Sequence, residues 1–201
     1  VNYLAHLYLS ENNPGVQIGN FIADALKGNR YMELPVVWQI GVLLHREIDS
    51  FTDAHPVFKK HVRLLFPVHR HYSRVIVDLV YDHFLAAHWD RYSSTPLTLY
   101  SANFYCLLDA HKTQLPQKIQ QLIPVIRKHN WLVQYADLEG LRSILSQMSR
   151  RAKFECQMDR SVDWLVENYT EVEHDFFSFF EVLKKFSQEK LHILNQNFRP
   201  L

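Results

Sequence analysis

Glycine is scarce in this chain, five in 201 residues, with only eight prolines. Folds built from tight hairpins need more of both, so long helices are expected. Cysteine is scarcer still. Cys106 and Cys156 have no metal-ligand spacing and read as reduced thiols of a cytoplasmic protein. Net charge is almost absent, +1 from 22 basic and 21 acidic residues. That excludes a strong global field and argues against nucleic acid as a partner, and it leaves any acidic partner to a local patch. The start, VNYLAHLYLS, has neither a basic n-region nor a long apolar span. Neither a secretion signal nor a membrane helix is therefore expected. Internal repeats, low-complexity tracts and interdomain linkers are missing too.

What is present is ordinary for a globular protein: 47% hydrophobic and 21% charged residues, enough for one domain over residues 1–201. Residues 2–10 form a short apolar segment, helix or strand with helix favoured, ENNPG at 11–15 a turn, and residues 16–27 a helix closed by Gly28. Pro35 opens a helix that runs to about Ala54, where Pro56 stops it. Further helices are expected over 73–92, 98–113, 116–129 and 137–152. A long amphipathic C-terminal helix spans about Asp159 to Lys190. The fold class is all-α, a single domain or irregular bundle.

HREIDSFTDAHP, at 45–56, raises the functional question. At 100° per residue, His45, Asp49 and Asp53 fan over roughly 80° of one helix face. Val36, Ile40, Leu44, Ile48 and Phe51 occupy the other face, which reads as core. Gly41, one turn before His45, leaves room for a close neighbour or ligand. VIVDLVYDHFLAAHW repeats the theme, with Asp78 and Asp82 one turn apart in an apolar run. Isolated buried carboxylates cost several kcal/mol, roughly, and a pair repel. A divalent cation removes both penalties, and oxygen with imidazole ligands suits Mg²⁺ or Mn²⁺. His83 points about 100° away from Asp82. Asn20 and Asp24 form another one-turn pair, and His6 is a lone polar group in LAHLYL. Each residue alone has a structural explanation, such as a satisfied core histidine, an ion pair with Arg46 or a cap at His55. Together, His45, Asp49, Asp78 and Asp82 point to a metal site.

Four stretches in order, NYLAHLYL at 2–9, GNFIADALKG at 19–28, HREIDSFTDAHP at 45–56 and DLVYDHFLAAHW at 78–89, resemble the motifs of the acyl carrier protein phosphodiesterases. The resemblance is close over the first ninety or so residues and weaker through WLVQY at 131–135 and SRR at 149–151. Tyr8 departs from it, standing where many relatives carry a second histidine. The resemblance implies a divergent, all-helical HD-type phosphohydrolase. It also implies hydrolysis of the phosphodiester between 4′-phosphopantetheine and a serine of holo-acyl carrier protein, with Mn²⁺ or Mg²⁺ required.

On this reading His45, Asp49, Asp78 and Asp82 hold the metal or position water, with Asp24 and His6 completing or supporting the shell. His55 or His83 protonates the leaving serine oxygen. Asp53 is divided between catalysis and the helix end. KKHVRLLFPVHRHYSR, at 59–74, holds Lys59, Lys60, Arg63, Arg70 and Arg74 with no acid. That patch is the expected dock for the acidic carrier, with Arg150 and Arg151 as a second candidate. Two rival readings are a hydrolase of nucleotides or other small phosphoesters, and a non-catalytic binding module using the aromatic face of Trp164, Phe176, Phe177, Phe179 and Phe180. That stripe reads more readily as core.

Overall fold

Proline and asparagine set most of the helix boundaries in the first half of the chain. The computed structural model describes residues 2–152, 154 and 156–198. In chain order the helices are α1 (Tyr3–Tyr8), α2 (Pro14–Ile22), α3 (Val36–Ala54), α4 (Pro56–His69), α5 (Ser73–Ala87), α6 (Leu97–Ala110), α7 (Gln117–Lys128), α8 (Trp131–Gln134), α9 (Leu138–Ser149), α10 (Ser161–Glu167) and α11 (Tyr169–Asn197). Short 3₁₀ turns join several of them, and no strand occurs among the described residues. The all-α expectation holds. Among the described residues no helix is long and apolar enough to cross a membrane.

Asn2 caps α1, its side chain accepting the Tyr3 N–H at 2.9 Å. ENNPG is more than a turn. Asn13 accepts the N–H groups of Gly15 and Val16 at 3.1 and 3.2 Å, and Pro14 is the first residue of α2. That helix ends at Ile22 rather than near residue 27, tightening into a 3₁₀ turn over Ala23–Ala25. Gly28, at φ +60°, serves the following loop instead of closing the helix. α3 keeps its expected bounds. Pro56 stops it and at once starts α4, because the first turn has no use for the N–H that proline lacks.

The expected C-terminal helix is two helices. Asn168 leaves helical geometry (φ −117°, ψ 14°), and its amide donates to the Trp164 carbonyl at 2.8 Å. That local bond competes with helix continuation. α11 then runs on for 29 residues.

Phe176, Phe179, Phe180 and Leu183 of α11 are buried against α3 and α5, so the aromatic stripe is core. Phe179 lies 5.1 Å from the fully buried Tyr81 ring, and Phe176 lies 5.6 Å from Phe84. Ile40, Leu44 and Ile48 of α3 turn inward as expected, while Val36 is half exposed. Tyr8 packs among Trp89, Tyr92 and Phe180, as one more aromatic in this core.

Candidate functional site

The site begins at a crossing of α2 and α3 that only glycine permits. A Cβ on Gly41 would stand 2.3 Å from the Val16 carbonyl oxygen, and one on Gly19 would stand 2.0 Å from that of Trp38. Backbone therefore meets backbone, which is the close neighbour that Gly41 anticipated. The contact sets Asn20 of α2 beside His45 of α3, with Asn20 Oδ1 3.1 Å from His45 Nδ1. Asn20 Nδ2 donates to the His6 carbonyl of α1 at 2.9 Å and to Ser10 Oγ at 3.1 Å. One buried amide thus ties three helices together.

His6 and His45 stack, with ring centroids 4.0 Å apart and planes 17° apart. His6 Nε2 lies 3.2 Å from Asp49 Oδ1. His45 Nε2 lies 3.0 Å from Asp49 Oδ2 and 3.3 Å from Asp24 Oδ1. Yet it is buried and makes no aligned hydrogen bond to either. His6, His45 and Asp49 each offer a ligand atom, all within 4.8 Å of one another. Imidazole nitrogens and carboxylate oxygens that converge, with His45 Nε2 left without an aligned partner, fit a divalent cation. The step of four brought His45 and Asp49 together as expected, and His6 and Asp24 complete the cluster.

The electrostatics are polarised. Burial would lower His45, but the carboxylates of Asp24 and Asp49 beside it hold it up to about 9. Burial, helped by the neighbouring His45 charge, pushes His6 down to about 4. Burial works against ionised Asp49 too, and the two imidazoles overcome it and hold its carboxyl well below the usual range.

The cluster opens into a cavity of about 830 Å³. Asp24, Asp49, Asp53 and Asp78 line one pole. Ile119, Leu122 and Val125 of α7, Trp131 and Met148 form an apolar wall, with Arg74, Lys118 and Arg151 also at the lining. Lys118 carried no signal in the sequence. Only tertiary packing shows that this lysine, and not Lys112, faces the cavity.

The remaining expected residues are distributed as follows. Asp78 is a half-buried part of the cavity lining, and burial pushes its carboxyl up to about 6. Asp82, one turn on, is fully buried and turns to the N-terminus of α1. It accepts the N–H groups of Leu4 at 2.7 Å, Ala5 at 3.1 Å and Asn2 at 3.2 Å. Burial nonetheless pushes it up to about 7. The structure therefore does not bring Asp82 into the cluster of His6, His45 and Asp49. His83 is spent on the Tyr135 carbonyl at 2.8 Å and the Tyr169 hydroxyl at 3.0 Å. His55 caps α4, its Nδ1 accepting the Val57 N–H at 3.3 Å. Neither histidine lines the cavity. Asp53 lines it but pairs with Arg74 at 2.5 Å.

The basic patch is partly neutralised. Lys60 pairs with Glu171 and Asp175, each at 2.7 Å. Lys59 and Arg63 are exposed on α4, the Arg70 guanidinium lies 5.8 Å from the Phe66 ring, and Arg150 is exposed beyond α9. Of the seven expected docking cations, only Arg74 and Arg151 reach the cavity.

The acyl carrier protein phosphodiesterase family matches residues 1–183. Curated relatives of that name are similar along nearly their whole lengths. One from Photorhabdus laumondii subsp. laumondii is 27% identical over 94% of this chain and 96% of its own. One from Yersinia pestis is 29% identical over 94% and 99%. One from Shigella boydii is 30% identical over 90% and 94%. No solved structure matches the chain. With a match that spans nearly the whole sequence and takes in every residue of the His6, His45 and Asp49 cluster, this chain belongs to the acyl carrier protein phosphodiesterase family.

Proposed function

We propose that the protein is a divalent-metal-dependent phosphodiesterase, a divergent HD-type enzyme. Its reaction is hydrolysis of the diester between 4′-phosphopantetheine and the serine of holo-acyl carrier protein. The products are the apo-carrier and 4′-phosphopantetheine. The observation that carries this reading is His45 Nε2, buried without an aligned partner between two carboxylates in the lining of a large cavity.

His6, His45 and Asp49 would hold the ion, with Asp24 within reach. A bound Mn²⁺ or Mg²⁺ supplies polarisation of the phosphoryl oxygen and a more acidic water. The chain's own residues do the rest. Asp78 lines the cavity with its carboxyl near 6, so it can carry a proton to the leaving serine oxygen. It is better placed for that than His55 or His83, which lie outside the lining. The apolar wall of α7 excludes water and accommodates the pantetheine arm. Lys118 and Arg151, exposed at the lining and in no ion pair among the described residues, face the acidic carrier that brings the diester.

Incubating holo-carrier with the protein and Mn²⁺ tests the reading by mass, as loss of the phosphopantetheine group. Faster turnover of a generic small diester than of holo-carrier would make this a small-phosphoester hydrolase. No turnover of either, with no bound metal, would support a binding module.

A further inference from the structure

We infer that Asn20 is a positioning residue that sets the tautomer of His45, leaving the Nε2 lone pair of that ring for a cation. The inference rests on the metal-site reading above and not on the identity of the substrate.

The amide orientation of Asn20 follows from its neighbours. The His6 carbonyl can only accept, and it lies 2.9 Å from Asn20 Nδ2. Ser10 Oγ lies 3.1 Å from the same nitrogen, and its own proton goes to the His6 carbonyl at 2.8 Å. Ser10 therefore accepts from Asn20. Both amide protons are used, so Oδ1 faces His45 and can only accept. His45 Nδ1, 3.1 Å away, must then donate. A neutral ring with its proton on Nδ1 has a bare Nε2. Free histidine side chains prefer the opposite arrangement, with the proton on Nε2, which would block that atom. Nε2 is the atom held between Asp24 and Asp49.

Every group in this chain of bonds is buried, so the amide is the partner the fold itself supplies to His45 Nδ1. The sequence places Asn20 four residues before Asp24, and the two divide the work. Asp24 reaches the ring from the cluster side, and Asn20 from behind.

Zn²⁺ alone, as a diamagnetic probe, tests the inference on protein labelled with ¹⁵N-histidine. In the wild type saturated with Zn²⁺, His45 Nδ1 is expected to carry the proton and Nε2 to be bare. Asn20→Leu should weaken Zn²⁺ binding by about 10- to 100-fold. Ser10→Ala removes a neighbouring buried bond but leaves the His6 carbonyl to orient the amide. It should therefore keep the tautomer and bind Zn²⁺ within about threefold of wild type. A bare Nδ1 in the wild type overturns the inference. So does Asn20→Leu binding at wild-type strength, or Ser10→Ala weakening Zn²⁺ as much as Asn20→Leu does. Should Asn20→Leu fail to fold, Asn20→Asp decides, because its carboxylate still accepts from Nδ1. The proton found on Nε2 in that variant overturns the inference, and the proton on Nδ1 supports it.

Discussion

Adding one methyl group at Gly41 is expected to separate two helices and weaken the proposed metal site. The new Cβ would stand 2.3 Å from Val16 O, 2.7 Å from Asn20 N and 2.8 Å from Gly19 Cα, where ordinary contact begins near 3.4 Å. The shortfall at the nearest atom, 3.4 less 2.3, is about 1 Å. All three neighbours are backbone, so no side chain can swing aside and α2 must back away from α3. Overpacking of this kind costs about 1–3 kcal/mol, and a clash with backbone belongs at the upper end. For a chain of this size that lowers Tm by roughly 6–12 °C at the upper figure. The same displacement carries Asn20 away from His45. A bond now 3.1 Å long would open to about 4 Å, past hydrogen-bond range. Mn²⁺ affinity should fall by about tenfold or more. Thermal melts and calorimetric Mn²⁺ titration read both effects. Gly28→Ala is the control. Its φ of +60° strains any alanine, but a Cβ there meets nothing within 4 Å. It should cost about 1–2 kcal/mol with unchanged metal binding. If Gly41→Ala melted within about 2 °C of wild type and bound Mn²⁺ normally, the crossing would not be what positions the site.

Asp82→Asn leaves one oxygen where two now accept three N–H groups, so it should cost about 1–3 kcal/mol in urea denaturation. Loss of bound metal at unchanged stability would instead make Asp82 a ligand. In metal-free protein His45 stands at about 9, above its ordinary value near ~6.5, so the folded chain binds that proton more tightly than the unfolded one. The resulting stability is full below about 6.5 and is lost as pH rises through about 9. Urea midpoints in chelator should therefore drop between those values, and a rise would refute the carboxylate–imidazole arrangement. Reversing Lys118 and Arg151 to glutamate should raise KM for holo-carrier about tenfold while sparing kcat and small-diester hydrolysis. If reversing Lys59 and Arg63 did this instead, the dock would lie on α4.

The sequence makes α3 almost fully legible. Pro35 and Pro56 bracket it, and the period of its apolar residues turns His45 and Asp49 to the same side. Asp24 was readable from the same step of four, and His6 only as an oddity in an apolar run. Asp82 was not readable, because its partners are backbone N–H groups, which leave no side-chain signature. The one trace is a first turn in α1 that holds no acid of its own. A buried carboxylate in an apolar helix looks the same on paper whether it binds a metal or a helix end. Asn168 breaks the C-terminal pattern by a bond to its own backbone, which hydrophobic periodicity does not register. Lys118 was invisible because α7 becomes a cavity wall only after α8 and α9 fold the chain back.

The bond from Leu4 N to Asp82 joins residues 78 apart in sequence. A six-residue helix such as α1 has no stability of its own in water. Its open end is closed by a carboxylate that only α5 supplies. His6 rides on that helix, so its place beside His45 and Asp49 depends on a contact from 78 residues away. During synthesis the Asp82 carboxylate cannot close that end of α1 until α5 has emerged. A cation that binds only the finished arrangement of His6, His45 and Asp49, as proposed above, would draw the folding equilibrium toward it.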